Sequence, residues 1–210
     1  MRDHEGPPGN GPDFNRRDFI KGSSAAVAAT AVATAGAENE ALAAQKKRNV
    51  VSAKGADLTL NVNGKNVKLK KVQPRVTLLD VLRNDLDLTG AKEVDDRTAD
   101  GADTVMIDGK AVLAGSIFAH ECKGKKITTV ESLRNGNKVD EVIEGFVKHD
   151  ASQCGFCTPG FVMATRAFLD KKPNASLDEI HKGLGGNICR CGTYSAITRC
   201  AVELAKKGGE

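Results

Sequence analysis

The chain has 210 residues, 40% hydrophobic and 28% charged, enough for one or two globular domains with a buried core. Aromatic residues are only 4%, tryptophan is absent and the formal charge is +4. So few stacking surfaces and so little charge argue against nucleic-acid binding, and the short basic runs near Lys46 and Lys68 read as solvated faces.

The first 45 residues differ from the rest. A Gly/Pro/Asp leader precedes NRRDFIKGSSAAVAATAVATAGA, in which Arg16 and Arg17 open a weakly apolar Ala/Val/Thr run with small-residue A-x-A sites at Ala35 to Ala37 and Ala41 to Ala43. The run is too short and too rich in Ala, Thr and Gly to span a membrane. It resembles a twin-arginine export signal, which implies a periplasmic protein exported already folded with its cofactor installed. That weakens a purely disulfide reading of the cysteines. Residues 1–45 are read as leader and signal.

From Asp57 the pattern turns to strands. LTLNVNG and KNVKLKKV alternate apolar and polar residues around Asn63-Gly64, a strong hairpin signal. TLLDVLRNDL follows, with Thr77 as N-cap and Leu78, Leu79, Val81, Leu82 and Leu86 largely on one helical face. An acidic stretch, DDRTADGAD, leads into DTVMIDGKAVLAG, a strand, an Asp-Gly turn and a second strand; ITTVESL supplies a last one. Residues 56–133 therefore read as a small mixed sheet packed on one helix, an α+β domain. Residues 138–208 read as helical: VDEVIEGFVKHD, PGFVMATRAFLDKK, SLDEIHKGL and TYSAITRCAVELAKK each carry apolar residues near the 3.6 period, and Ser176 with Glu179 forms a capping box. Four short helices with brief connections suggest a compact bundle.

Four of the six cysteines lie in QCGFCTPG and GNICRCGTY, spaced C-x2-C, thirty-one residues, then C-x-C. Each close pair fixes two ligands on one turn, and the fold brings the turns together, a strong metal signature. Four thiolates suit zinc or an iron-sulfur cluster, and spacing alone does not choose. Thr158 as N-cap with Pro159 as first helical residue, and Thr193 as a second N-cap, would aim two helix N-termini at the thiolates and favour an anionic centre. Gly155, Gly185, Gly186 and Gly192 permit close backbone approach around it.

At these residues the chain resembles the iron-sulfur subunit of the molybdenum hydroxylases, the xanthine dehydrogenase family, from Asp57 to the C-terminus. The resemblance implies an N-terminal β-grasp, ferredoxin-like domain followed by a four-helix [2Fe-2S]-binding bundle. One cluster would be ligated by Cys154, Cys157, Cys189 and Cys191, beside a molybdenum cofactor carried by a separate large subunit, with Gln153 facing that cofactor. The family's ferredoxin-like domain carries a second cluster, with ligands spaced C-x4-C-x2-C and a fourth further on. In this chain those positions fall on Asp95, Asp100, Asp103 and Gly115. Carboxylates are hard ligands, whereas iron-sulfur clusters are held mainly by thiolates, so the second cluster is expected to be absent. A hard-metal site in the acidic stretch is the alternative, though it lacks the EF-hand order and its terminal Glu.

The remaining residues read more plainly. Cys200 shares a helical face with Ile197, Ala201 and Leu204 and reads as core. Cys122 falls in a loop by chance placement, with a Cys122–Cys200 disulfide as a minor option. His149 and His181 read as surface residues, and no catalytic nucleophile constellation or phosphate-binding glycine loop stands out. The expected function is an electron-transfer subunit with no catalytic residues of its own and a c-type cytochrome as one exit for electrons. The rival is a structural or assembly subunit with a redox-silent or zinc centre.

Overall fold

The computed structural model describes residues 50–208. The export signal and leader read at 1–45 lie outside the described residues. Residues 51–208 form one compact unit of mixed α/β architecture.

The first hairpin pairs β1 (Ala56–Val62) with β2 (Lys65–Val72) in antiparallel register, Leu58 opposite Leu69 and Leu60 opposite Val67. Asn63 and Gly64 both adopt positive φ, 52° and 78°, the twist that a two-residue hairpin turn requires. A second hairpin, β3 (Thr104–Ile107) and β4 (Lys110–Leu113), repeats the device at Asp108 and Gly109. The short β5 (Lys126–Thr128) runs parallel to β1 and antiparallel to β3, giving the order β2-β1-β5-β3-β4.

Leu58, Leu60 and Val62 alternate inward and bury against Leu78, Val81 and Leu82. The predicted helix after Thr77 is shorter and wider than its periodicity suggests. Thr77 caps α1 (Leu78–Asp80) in a full capping box with Asp80, and the chain then widens into a π turn at Val81–Asp85, where the Leu86 N–H donates to Val81 O at 3.1 Å. That widening puts Leu78, Val81 and Leu82 all on the sheet with no exposure.

Strand β3 is buried at every position because both of its faces are covered. Val105 and Ile107 join the core under α1, while Met106 meets Met163 and Ala167 on the other side. Both of those residues belong to α3 (Thr158–Lys171), so the cysteine-rich half is packed directly on the sheet.

ITTVESL is only partly strand. After β5, the Thr129 hydroxyl donates to the Glu131 carboxylate and the Ser132 hydroxyl to Thr129 O, winding Val130–Leu133 into a 3-10 turn. A small hairpin, β6 (Arg134–Asn135) and β7 (Lys138–Val139), then turns at Gly136, a feature the sequence pattern does not announce. Cys122 also differs from expectation: it ends a 3-10 turn at Ala119–Cys122 and is fully buried under the sheet, its turn tied to β2 by His120 Nε2 against Val72 O at 2.8 Å. Burial pushes its thiol up to about 11. The disulfide option fails, since Cys122 and Cys200 are both free and lie in separate cores.

Among the described residues after Val139, four helices follow, α2 (Glu141–Lys148), α3, α4 (Leu177–Gly183) and α5 (Tyr194–Lys207). Their core joins Val142, Phe146, Phe161, Ile180, Ile197 and Leu204. Helices α2 and α5 cross closely because Gly145 has no side chain: a Cβ there would stand 2.6 Å from Cys200 Sγ. The capping box of Ser176 and Glu179 opens α4 as expected from the sequence. No helix among the described residues is long and apolar enough to cross a membrane.

His149, read as a surface residue, is only 18% exposed because it hydrogen-bonds Glu203 on α5 at 2.7 Å. Lys148, at 2.6 Å, and Lys207, at 3.1 Å, reach the same carboxylate. Those donors, Lys148 first, hold Glu203 down to about 2 from an ordinary 4.5. The folded state therefore binds fewer protons than the unfolded state between those values, so this contribution is present above pH 4.5 and lost as pH falls toward 2. Because the group is solvent-screened, the effect is small. In thermal melts taken against pH, Glu203→Gln is expected to flatten part of the acid limb below pH 4.5.

Candidate metal centre

Cys154 and Cys157 lie on the turn between α2 and α3, and Cys189 and Cys191 on the loop between α4 and α5. Gly155 and Gly192, each with φ +81°, let the two turns fold tightly beside their cysteines. Cys157 itself occupies the N-cap of α3, one residue before the position expected from Thr158. Thr158 is already helical, with Pro159 in the first turn, and its hydroxyl donates instead to Ser152 Oγ at 3.1 Å. That bond ties the cysteine turn to the segment leading from α2.

Thr193 is the N-cap of α5, as its sequence position suggests, but its side chain makes no capping bond. Its hydroxyl lies 3.1 Å from Cys189 Sγ. Next to it, the Tyr194 hydroxyl accepts the Cys189 N–H at 2.7 Å, and the Tyr194 ring meets Phe161 edge-on, centroids 6.1 Å apart at 79°. Cys189 is thus held through its backbone by one α5 residue and through its sulfur by the N-cap of the same helix.

The four thiols meet in two pairs, Cys154 with Cys191 and Cys157 with Cys189. Cys189 is buried, Cys157 half-buried, and Cys154 and Cys191 exposed. Within each pair one thiol is acidified and the other is not. Burial pushes Cys189 up, but the Thr193 hydroxyl and N–H, the Cys157 thiol and the Gly192 N–H outweigh it and leave it at about 7. Its partner Cys157 is pushed up to about 12 by burial and by the bond to Cys189. In the outer pair the Phe156 N–H, then the Cys191 thiol, draw Cys154 down. The Cys154 N–H lowers Cys191, but the Cys154 thiol and burial outweigh it, so Cys191 rises. Backbone N–H groups from both turns face sulfur, an environment that favours negative charge.

Gln153 is exposed beside Cys154. Phe156, Ile188 and Tyr194, interleaved with the cysteines, are 51%, 55% and 44% exposed and give the site an apolar rim.

The acidic stretch forms the floor of this site. Asp100 O accepts the Ile188 N–H at 2.8 Å, one residue before Cys189. Buried Asn187 donates through Nδ2 to Gly101 O at 2.8 Å and to Thr104 Oγ1 at 3.3 Å. Gly160, three residues after Cys157, lies so close that a Cβ on it would stand 2.3 Å from Gly101 O. Sequence reasoning missed Asn187, Tyr194 and Gly160 as site residues, although each lies in or beside a quoted cysteine motif; only their partners, distant in sequence, reveal what they do.

Asp95, Asp100 and Asp103 do not converge. Asp95 accepts the N–H groups of Arg97 and Ala99, both at 3.2 Å, and Asp100 accepts that of Ala102 at 2.6 Å. Asp103, 1% exposed, accepts the Gly115 N–H at 2.7 Å. Among the described residues, no three His, Cys, Asp or Glu side chains close around a point as a single metal ion requires.

Two turns present four thiols beside a mixed sheet, and residues 129–202 match the [2Fe-2S] binding domain family, which makes this an iron-sulfur type of protein. Residues 13–36 match the twin-arginine translocation pathway signal sequence, which directs export by that route to the periplasm. The chain is 38% identical over 207 residues to the aldehyde oxidoreductase iron-sulfur-binding subunit PaoA of Escherichia coli strain K12, covering 91% of this chain and 88% of that one. It is 37% identical over 147 residues to the nicotine 6-hydroxylase small subunit of Paenarthrobacter nicotinovorans, covering 70% and 88%. Among solved structures, quinoline 2-oxidoreductase from Pseudomonas putida 86 superposes with a TM-score of 0.70 at 33% identity, covering 74% of this chain and 97% of that one. The chain belongs to the family of iron-sulfur subunits of the molybdenum hydroxylases, which includes the xanthine dehydrogenases and aldehyde oxidoreductases.

Proposed function

We propose that the chain is the electron-transfer subunit of an exported molybdenum hydroxylase-type oxidoreductase and holds a single [2Fe-2S] cluster on Cys154, Cys157, Cys189 and Cys191. The observation that carries this reading is the convergence of four thiols from two turns within residues 129–202, the segment that matches the [2Fe-2S] binding domain family. Four thiolates on two turns are the ligand set that a [2Fe-2S] cluster takes. When bound, such a cluster supplies a one-electron carrier.

The chain's own residues prepare the place for it. The N–H groups of Phe156, Gly192 and Thr193 donate to sulfur and favour the anionic state. Phe161 packs on the inner side, while the exposed Phe156, Ile188 and Tyr194 offer an apolar face to a partner. On this reading residues 1–45 are leader and signal, 56–133 a β-grasp ferredoxin-like domain without cluster ligands, and 138–208 the cluster-binding four-helix bundle. The partner is a large subunit carrying the molybdenum cofactor, toward which Gln153 faces. No residue of this chain is catalytic.

With one relay, electrons leave without passing to a second cluster, and a c-type cytochrome partner suits an exported complex. Purification of the native complex tests this. The expected result is no flavin and reduction of a haem partner by substrate; tightly bound flavin that turns over with substrate would contradict it.

A further inference from the structure

The resemblance to a ferredoxin-type domain implies a second metal centre at Asp95, Asp100, Asp103 and Gly115, and these residues do not fit one. None is a thiol, and each carboxylate is hydrogen-bonded within its own loop or to Gly115. The loop has also closed over the position. Thr98, 7% exposed, sits at φ +53°, a conformation that β-branched residues rarely adopt. It is held there by its N–H, which donates to Asp95 O at 2.8 Å, and by a hydrogen bond between its hydroxyl and that of Ser116.

Gly115 is the complement to this plug. Its φ is not positive, so space rather than backbone conformation demands glycine there. A Cβ at Gly115 would stand 2.2 Å from Thr98 Cγ2 and 3.2 Å from Asp103 Oδ2. Asp103 completes the closure: its Oδ2 binds the Gly115 N–H, while its Oδ1 is buried without a partner. A carboxyl left half-satisfied is an unfavourable arrangement, tolerated where the surrounding loop fixes it.

We propose that the second metal position is sealed from within by Thr98, which packs where a side chain at position 115 would have to go. Residues 98, 103, 115 and 116 then do for the loop what a metal centre would do, holding its shape without metal. The loop keeps Asp100 O and Gly101 O placed against Ile188 and Asn187, and so keeps the floor under the Cys189 loop. This inference rests on reading Asp95, Asp100, Asp103 and Gly115 as the former ligand positions.

Two sets of variants test it. The first restores the thiols, as D95C/D100C/D103C/G115C, with and without T98G, followed by iron analysis and electron paramagnetic resonance of dithionite-reduced protein. The four-cysteine variant is expected to keep the parent's iron content. Adding T98G is expected to admit about two more irons and a second signal. Extra iron in the four-cysteine variant, or none in the five-fold variant, overturns the seal. The second set needs no metal uptake at this position: G115A, T98G and T98G/G115A by thermal melting. G115A is expected to lower Tm by about 5 °C when Thr98 is present and by far less in the T98G background. Equal losses in both backgrounds overturn the proposal. About four irons in the parent protein would instead refute the single-cluster reading itself.

Discussion

Cys189→Ala is expected to strip the protein of iron. Cys189 is the buried member of the inner pair and the thiol held down to about 7, with the Thr193 hydroxyl at its sulfur and the Tyr194 hydroxyl at its backbone. Removing it leaves Cys157 as the single thiol of the inner pair, half-buried and without its sulfur partner. The cluster is then left with three of its four thiolates, and iron is expected to be lost during purification. Iron should fall from about two per chain to a small residue, with the visible absorption of the cluster lost. Cys122→Ala and Cys200→Ala are the controls. Both thiols are buried core residues outside the two pairs and should leave iron unchanged. Full iron in Cys189→Ala would remove it from the ligand set.

Phe161→Ala is expected to have the largest effect on stability. Phe161 is 1% exposed and is among the largest fully buried side chains. Truncating a buried phenylalanine costs about 3–5 kcal/mol, which for a unit of this size lowers Tm by roughly 10 °C. The change also reaches the metal site, because Phe161 is the edge-on partner of Tyr194, whose hydroxyl holds the Cys189 N–H. With the ring gone, Tyr194 loses its lateral support and iron should be lost to a chelator faster than from the parent protein, below the melting range. Stability loss without faster iron release would show that the ring supports the bundle but not the cysteine loop.

What was legible in the sequence had a local cause. Asn63-Gly64 and Asp108-Gly109 announce their hairpins because two consecutive positive φ values need those residue types. Thr77 and Ser176 announce helix starts because capping is a contact within four residues. The four cysteines stand out because their spacing is fixed by turns. The misses had distant causes. Burial of β3 on both faces depends on α3, more than fifty residues later, and the π turn after Asp80 depends on how Val81 and Leu82 meet the sheet. Thr193 looked like a cap by position, yet its hydroxyl is drawn to a sulfur that only the folded loop brings near. Thr98 gave no signal, since its meaning lies in the missing side chain at Gly115.

The contrast between paired thiols on the helices and a closed, metal-poor loop on the sheet is most directly tested by iron analysis of the purified mature protein, with electron paramagnetic resonance after dithionite reduction. About two irons per chain and one rhombic signal are expected. About four irons with two signals, or protein with neither iron nor signal, would contradict it.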